Sequence, residues 1–420
     1  MSKIYLDHSA TTPLDKQVLD AMLPYFSEKF GNASSIHTFG QEALLGVDKA
    51  RAQVASFLNC EAGEIIFTSG ATEANNLAIK GVMKALRKQN KDKKMHIITS
   101  LVEHDAILEP VAEMQYEGVE ASHVPVGSNG VINLEKFEKM IKDNTVLVSI
   151  MMVNSEVGAI QPIRAIGKII RKLNEKRLND WNKLAPAERG EKPQPIYFHT
   201  DATQGINFLN CDVEWNYIDM LSMSAHKIYG PKGVGVLYKQ KDVPMLALQR
   251  GGHHEGNLRS GTLNVTGIVG LGEAIALLGE RKEKGELTDK QIENNAYLAK
   301  LRNRLVDGIK KNVDDIVLNT DYENCTPSHA HFSFIGVEGE SGLISLDMEG
   351  IAVSTGSACA SGSLKASHVL MAMGIKKEIC HNSIRFTLGK NNTEAEIDYV
   401  IEKLPGLIER LRKMNPIYKK

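Results

Sequence analysis

An α/β protein built around a mostly parallel sheet is the fold class that this 420-residue sequence predicts. Two observations carry the prediction. Short apolar runs recur along the N-terminal part of the chain, and stretches with a helical period separate them. The runs are EIIFTS (64–69), HIITS (96–100), TVLVSIMMV (145–153), PIYFHTD (195–201), IDMLSMS (218–224) and GVGVLY (233–238). Near-continuous apolar strands are those buried on both faces, and helices on each side of a parallel sheet provide that cover. The periodic stretches EANNLAIKGVMKALRKQ (73–89) and IRAIGKIIRKLNEKRLND (163–180) are the covering helices.

After about residue 263 the texture changes. A long helical pattern (291–311) precedes HAHFSFIGV (329–337), GIAVST (350–355) and NSIRFTLG (382–389), which predicts a smaller α+β domain. The expected division is a large α/β domain over 15–262 and a small domain over 263–420 that includes the N-terminal segment 1–14. A chain of this length is long for one core. The charged, proline-containing segment 174–195 lies between a helix and a strand. It is expected to be a helix extension followed by a surface loop.

Composition removes several function classes. Hydrophobic residues at 42% and charged residues at 24% are those of an ordinary soluble globular protein. A net charge of −1 offers no polyelectrolyte attraction to nucleic acid or to an acidic membrane. No apolar run reaches the length of a membrane helix, and the N-terminus lacks a signal-peptide core. Five scattered cysteines with no CxxC argue against a disulfide framework and against a zinc site. A reducing, cytoplasmic setting is therefore expected.

The strongest chemical signal is SAHKIYGPKGVG (224–235). Lys227 follows an apolar strand and precedes a Gly/Pro-rich turn, the place where α/β sheets put their ligands. An amine partly desolvated there becomes more neutral and nucleophilic, as Schiff-base chemistry requires. In HTDATQG (199–205), Asp201 ends another strand. Lys with Asp is the pairing expected for pyridoxal 5′-phosphate, because a carboxylate keeps the pyridine ring protonated as an electron sink. An Asp at a strand end also serves as a helix cap.

Four further signals accompany these. FTSGATEANN (67–76) reads as strand, turn and helix, a junction whose N–H groups and Thr72 hydroxyl cradle phosphate. A capped helix with Glu73 in its first turn explains the same letters. His104, in VEHDAI, can stack on a planar cofactor and carry protons, or be structural. Arg385, in SIRFTLG, calls for an anion, either a substrate carboxylate or a structural ion pair. Finally, TGSACASG (355–362) sets Cys359 among small residues with no apolar pocket around it. This predicts a mobile, solvated loop carrying a thiol for delivery.

With these residues in view, the sequence resembles the NifS/IscS-type cysteine desulfurases, class-V aminotransferase relatives with the fold of type I pyridoxal phosphate enzymes. The likeness runs from YLDHSATTPLD to NSIRFTLGKNNTEAEID and is most specific in FTSGATEANNLAIKG, VNSEVGAIQPI, DATQG, SAHKIYGPKGVG, RSGTLN and STGSACAS. The resemblance implies that Lys227 carries the cofactor, Asp201 holds its ring nitrogen and Gln204 its ring hydroxyl. It implies that Ala71, Thr72, Ser224 and His226 bind the phosphate. Thr262 would reach the phosphate of a neighbouring subunit, which implies a homodimer. His104 would stack on the ring and assist proton transfer. Asn154 and Arg385 would fix the substrate carboxylate, with Asn32 in the same pocket. Asn154 is also placed among the cofactor-binding residues.

Cys359 would take sulfur from L-cysteine as a persulfide, release alanine, and pass the sulfur to an acceptor protein. That acceptor would be an iron–sulfur scaffold or a relay for tRNA thiolation. The small-residue surroundings of Cys359 resemble the long-loop class of the family, with Gly and Ser as its hinge. Relative to compact members, 174–195 is an insertion, and relative to housekeeping members the C-terminal tail is short. The nearest rival is a selenocysteine lyase or another pyridoxal phosphate lyase or transaminase on the same fold. A catalytically inactive sulfur-relay protein is the rival from another class. The first rival shares Lys227 and Asp201; a transaminase has no use for the thiol of Cys359.

Overall fold

The computed structural model describes residues 3–89, 93–282, 285–356, 366–416 and 418. Twelve strands, in chain order, are β1 (Ile4–Tyr5), β2 (Ile65–Thr68), β3 (His96–Ser100), β4 (Glu120–Val124), β5 (Thr145–Ser149), β6 (Tyr197–Asp201), β7 (Met220–Ser224), β8 (Gly235–Lys239), β9 (Ile316–Leu318), β10 (His329–Phe334), β11 (Ile351–Ala352) and β12 (Ser383–Thr387).

Seven of them make the central sheet, in the order β2-β8-β7-β6-β5-β3-β4. Only β8 runs against its neighbours, so β2, β3, β4, β5, β6 and β7 share one direction. The alternation within strands shows why. Phe67, Ile98, Val148 and Leu221 face one core cluster, while Ile66, Ile97, Leu147 and Met220 face another. Helices cover both faces. The long helix Thr38–Leu58 and the glycine-rich helix Val265–Ala276 pack together over the first. The second lies under the run from Ala71 to Gln89, which passes through one π-helical stretch at Leu77–Gly81.

The C-terminal part has its own core and an antiparallel sheet, β12-β10-β9. The N-terminal strand β1 pairs in parallel with β11, and Leu6 is buried in the same cluster. The helices Asp289–Asn312 and Glu394–Met414 pack on each other against it.

Segment 174–195 begins inside the helix Ile163–Lys183 and continues as a surface stretch to β6. Strand β4 was not anticipated: EASHV, at the sheet edge, carries one buried apolar residue at its end and no apolar run. The run 145–153 forms a strand only as far as Ser149; Ile150–Val153 stay buried but turn toward the strand ends. Among the described residues, no helix is long and apolar enough to cross a membrane.

Candidate active site

Because β2, β3, β5, β6 and β7 run in one direction, the residues that follow them meet at one end of the sheet. That end holds a cavity of about 710 Å³, of a size that encloses a small cofactor and its substrate. Its lining includes Ala71 and Thr72 after β2, His104 after β3, Asn154 after β5, Asp201 and Gln204 after β6, and Ser224, His226 and Lys227 after β7. Arg385 of β12 closes it from the C-terminal part. A larger groove of about 1070 Å³ lies at the opposite end of the strands, partly against Lys192–Pro195. None of the residues just named lines that groove, so chemistry and not size locates the site.

Lys227 ends a short 3-10 turn directly after β7. Its ammonium donates to the main-chain carbonyls of Ser9 and Ala10. The segment Ser9–Thr12 is itself fastened to the same turn, since Thr12 donates to the carbonyl of His226 through both its N–H and its hydroxyl. The Gln204 amide donates to the Ser9 carbonyl as well, at 2.9 Å. His226 lies beside Lys227 with its Nδ1 3.1 Å from the Thr11 hydroxyl. Burial, then the charges of Lys227 and Lys232, push its pKa down to about 4, so the ring is neutral at pH 7.

Asp201 is buried at the end of β6. Its Oδ2 accepts the Asn75 side-chain N–H at 2.7 Å and its Oδ1 accepts the Thr203 N–H at 3.0 Å. One oxygen thus closes a local turn at Thr203, where residues 203–208 form turns and not the capped helix of the alternative reading, and the other fixes the carboxylate toward the cavity. Asn75 belongs to the helix Ala71–Asn76, whose first turn follows Gly70. Gly235 lets the two chains meet there: a Cβ on it would lie 2.7 Å from the backbone of Gly70. The N–H groups of a first helical turn have no acceptor within the helix. In this turn Glu73 is held by Arg259 at 2.9 Å and takes the Ser69 N–H.

His104 is the N-cap of the helix Asp105–Tyr116, and its Nδ1 accepts the Ala106 N–H at 3.0 Å. An accepting Nδ1 puts the ring proton of the neutral form on Nε2. The structural and functional readings of this histidine are compatible. Arg385 also combines two readings. Its Nη2 donates to Asp7 at 2.8 Å and its Nη1 to the Ser155 carbonyl at 2.9 Å, while its buried Nε has no hydrogen-bond partner among the described residues.

Asn32 does not line this cavity within the one chain: it is exposed, and its side-chain Oδ1 accepts the Ser34 N–H in a surface loop. Asn154 lines it, but its amide is engaged with the protein. Its oxygen accepts the N–H groups of Glu156 and Val157, and its nitrogen donates to the Val102 carbonyl and toward the Met151 sulfur. It therefore holds a turn. Thr262, expected to act across a subunit boundary, is exposed and outside this cavity. Cys359 lies outside the described residues; the chain enters its segment at Gly356, which lines the cavity, and returns at Ala366.

Among the lining residues that the sequence did not single out, three are buried side-chain amides or acids. Asn75 sat in a helical pattern as one polar position among several. Glu103 is fully buried; burial raises its pKa to about 8, although it accepts the Ser100 hydroxyl and the Met151 N–H. Glu156 is also buried, and burial raises its pKa to about 7 despite the Ser367 hydroxyl and the Arg385 charge. For the two glutamates the available signal was a nearby candidate, His104 directly after Glu103 and Asn154 two residues before Glu156.

Comparison with known proteins agrees with this geometry. The class-V aminotransferase family matches residues 4–400. The cysteine desulfurase IscS of Clostridium botulinum is 44% identical over 418 residues, 99% of this chain and 97% of the relative. A solved NifS-like protein superposes with a TM-score of 0.83 at 36% identity, covering 97% of this chain and all of the other. The solved structure of SspA in complex with cysteine gives 0.74 at 31% identity, covering 93% of this chain and all of its own. The chain belongs to the class-V aminotransferase family, among its NifS/IscS-type cysteine desulfurases.

Proposed function

We propose that the protein converts L-cysteine and the Cys359 thiol into L-alanine and a Cys359 persulfide. The atoms balance: the carbon–sulfur bond of the substrate breaks, a sulfur–sulfur bond forms, and the thiol proton ends on the product side. The observation that carries the reading is the convergence of Lys227, Asp201 and Arg385 on one cavity, in a chain related over its whole length to cysteine desulfurases.

The residues fit pyridoxal 5′-phosphate. A lysine amine, a carboxylate held at both oxygens, an accepting-and-donating Gln204 and the first-turn N–H groups of Ala71 and Thr72 supply what its aldehyde, ring and phosphate need. The buried Asn75 Oδ1 and Arg385 Nε, both without partners among the described residues, are polar atoms in the cavity lining that a ligand would satisfy. When bound, the cofactor supplies the electron sink for chemistry at the substrate Cα.

The protein's own residues do the rest. Asp201 would hold a proton on the ring nitrogen of a bound cofactor. Ser224 and neutral His226 lie beside the phosphate-binding turn. Lys227 Nζ takes up and returns the Cα proton, and His104 Nε2 carries the proton near the leaving sulfur. Arg385 pairs with the substrate carboxylate through N–H groups that Asp7 and Ser155 leave available. Asn154 contributes indirectly, by fixing the turn whose Ser155 carbonyl orients Arg385.

The finer partner reading is a homodimer that hands persulfide sulfur to an acceptor protein, an iron–sulfur scaffold or a tRNA-thiolation relay. Phe26, Phe30, Ile36 and Phe39 are 64%, 63%, 92% and 53% exposed, an apolar patch of the kind that interfaces cover. Asn32 lies on the same loop. A second copy covering it would bring exposed Asn32 and Thr262 toward a neighbouring cavity. The test of the function is alanine release from L-cysteine by the purified protein with pyridoxal phosphate, with Lys227→Ala as the inactive control. Alanine formation by Lys227→Ala at the wild-type rate would remove Lys227 from the chemistry.

A further inference from the structure

We infer that Lys232 is a further cofactor-binding residue, whose ammonium offsets the negative charge of the phosphate of pyridoxal 5′-phosphate. The inference rests on the reading of this cavity as the site of that cofactor.

The backbone around Lys232 places it beside the phosphate-binding turns. Gly235, the first residue of β8, pairs with Thr68 of β2 on one side and with Ser224 of β7 on the other. Just before it, the Val234 carbonyl takes the Ala225 N–H. Residues 231–233, which lead into β8, therefore lie across the ends of both strands. The same two strand ends open onto Ala71 and Thr72 and onto the turn Ala225–Lys227. The approach to β8 is fixed in shape: Gly233 has φ +78°, and its carbonyl accepts the Asn264 side-chain N–H at 3.3 Å. Lys232 lines the cavity together with Gly70, Thr72, Ser224 and His226.

The other charged groups at this end of the cavity are already engaged. A phosphate monoester carries a charge of about −1.5 to −2 at pH 7, and an anion drawn out of water needs a cation beside it. His226 does not supply one. Burial, then the charges of Lys227 and Lys232, hold its pKa near 4, so its ring offers a hydrogen bond and no charge. Arg259 is paired with Glu73 at 2.9 Å. Lys227 donates to the Ser9 and Ala10 carbonyls and is the amine read as carrying the cofactor's aldehyde. Arg385 is paired with Asp7. Lys232 has no hydrogen bond or ion pair among the described residues. Its side chain is exposed, so it can turn to a bound anion without breaking a contact.

The test titrates the full-length protein, freed of cofactor, with pyridoxal 5′-phosphate and separately with pyridoxal, which lacks the phosphate. Absorbance of the bound compound reports the affinity and needs no turnover. Lys232→Gln removes the charge and keeps a polar side chain of similar reach. It should weaken binding of the phosphate ester about fivefold or more and leave pyridoxal within about twofold. Lys232→Arg keeps the charge and should stay within about twofold of the wild type for both compounds. Added potassium chloride should narrow the gap between wild type and Lys232→Gln, because salt screens an exposed pair.

An unchanged phosphate-ester affinity in Lys232→Gln, or an equal loss for both compounds, would overturn the inference. So would a Lys232→Arg variant as weak as Lys232→Gln, since shape and not charge would then matter. A wild type that binds neither compound would overturn the cofactor reading itself. A wild type that binds both, with Lys232→Gln indistinguishable from it, would leave that reading standing and remove only the role of Lys232.

Discussion

The Asn75 side chain donates to Asp201 Oδ2 across 2.7 Å, joining the phosphate-side helix to the carboxylate at the end of β6. Both groups are buried, so the bond sets which way the carboxylate faces. A hydrogen bond to a charged group is worth about 1.5–3 kcal/mol. Asn75→Ala should therefore lower kcat/KM about ten- to a hundredfold and weaken cofactor retention. Steady-state kinetics with a cofactor titration check this, and wild-type values in both would contradict it.

Glu103 predicts the alkaline limb of stability. Its folded pKa is raised to about 8 by burial from 4.5, so the folded state holds a proton that the unfolded state has lost between those values. The contribution is fully present below about pH 4.5 and is lost as pH rises through 8, at up to about 1.4 kcal/mol per pH unit. Glu103→Gln keeps an acceptor for the Met151 N–H and removes the titration. Denaturant melts should show it gaining on the wild type at pH 8–9 relative to pH 5.

The acid limb belongs to buried histidines. Burial lowers His8, His96, His199 and His226 to about 4, and His329 and His331 to about 3. Each is neutral when folded and protonates on unfolding below 6.5. The stability they contribute is present above pH 6.5 and is lost as pH falls toward 4. Unfolding should take up protons in that window, measurable as a Tm that drops steeply from pH 6.5 to 4.5. A flat Tm across that range would contradict the assignment.

The exposed Phe26, Phe30, Ile36 and Phe39 predict self-association. Sedimentation at assay concentration should give a dimer. Phe30→Asp together with Ile36→Asp should shift it toward monomer and reduce activity in proportion. A fully active monomer would place Asn32 and Thr262 outside the chemistry.

The site was legible where chemistry coincides with a strand end. Lys227, Asp201 and His104 each follow an apolar run, and the shared direction of β3, β6 and β7 brings them to one cavity. Asn75, Glu103 and Glu156 were illegible because buried and exposed polar residues look alike in sequence. The fold buries Asn75 in the π-interrupted helical run, Glu103 just after β3 against the Met151 N–H, and Glu156 in the turn 154–157. Asn32 and Asn154 show a related ambiguity: an asparagine that caps its own turn has the same letter as one that binds a ligand, and each of these accepts N–H groups of its own turn. Strand β4 escaped because an edge strand needs no continuous apolar run.

The central claim is that Cys359 accepts the substrate sulfur. Cys359→Ser replaces a polarisable nucleophile with a hydroxyl that stays protonated at neutral pH, and it leaves Lys227, Asp201 and Arg385 untouched. The decisive measurement is the mass of the 359-containing peptide, with alanine quantified alongside, after brief incubation with L-cysteine. The account predicts a gain of roughly 32 Da, one sulfur atom, on the wild-type peptide with a matching alanine burst, and neither in Cys359→Ser. Alanine release by Cys359→Ser at the wild-type rate, or sulfur gained instead at Cys60, Cys211, Cys325 or Cys380, would contradict it.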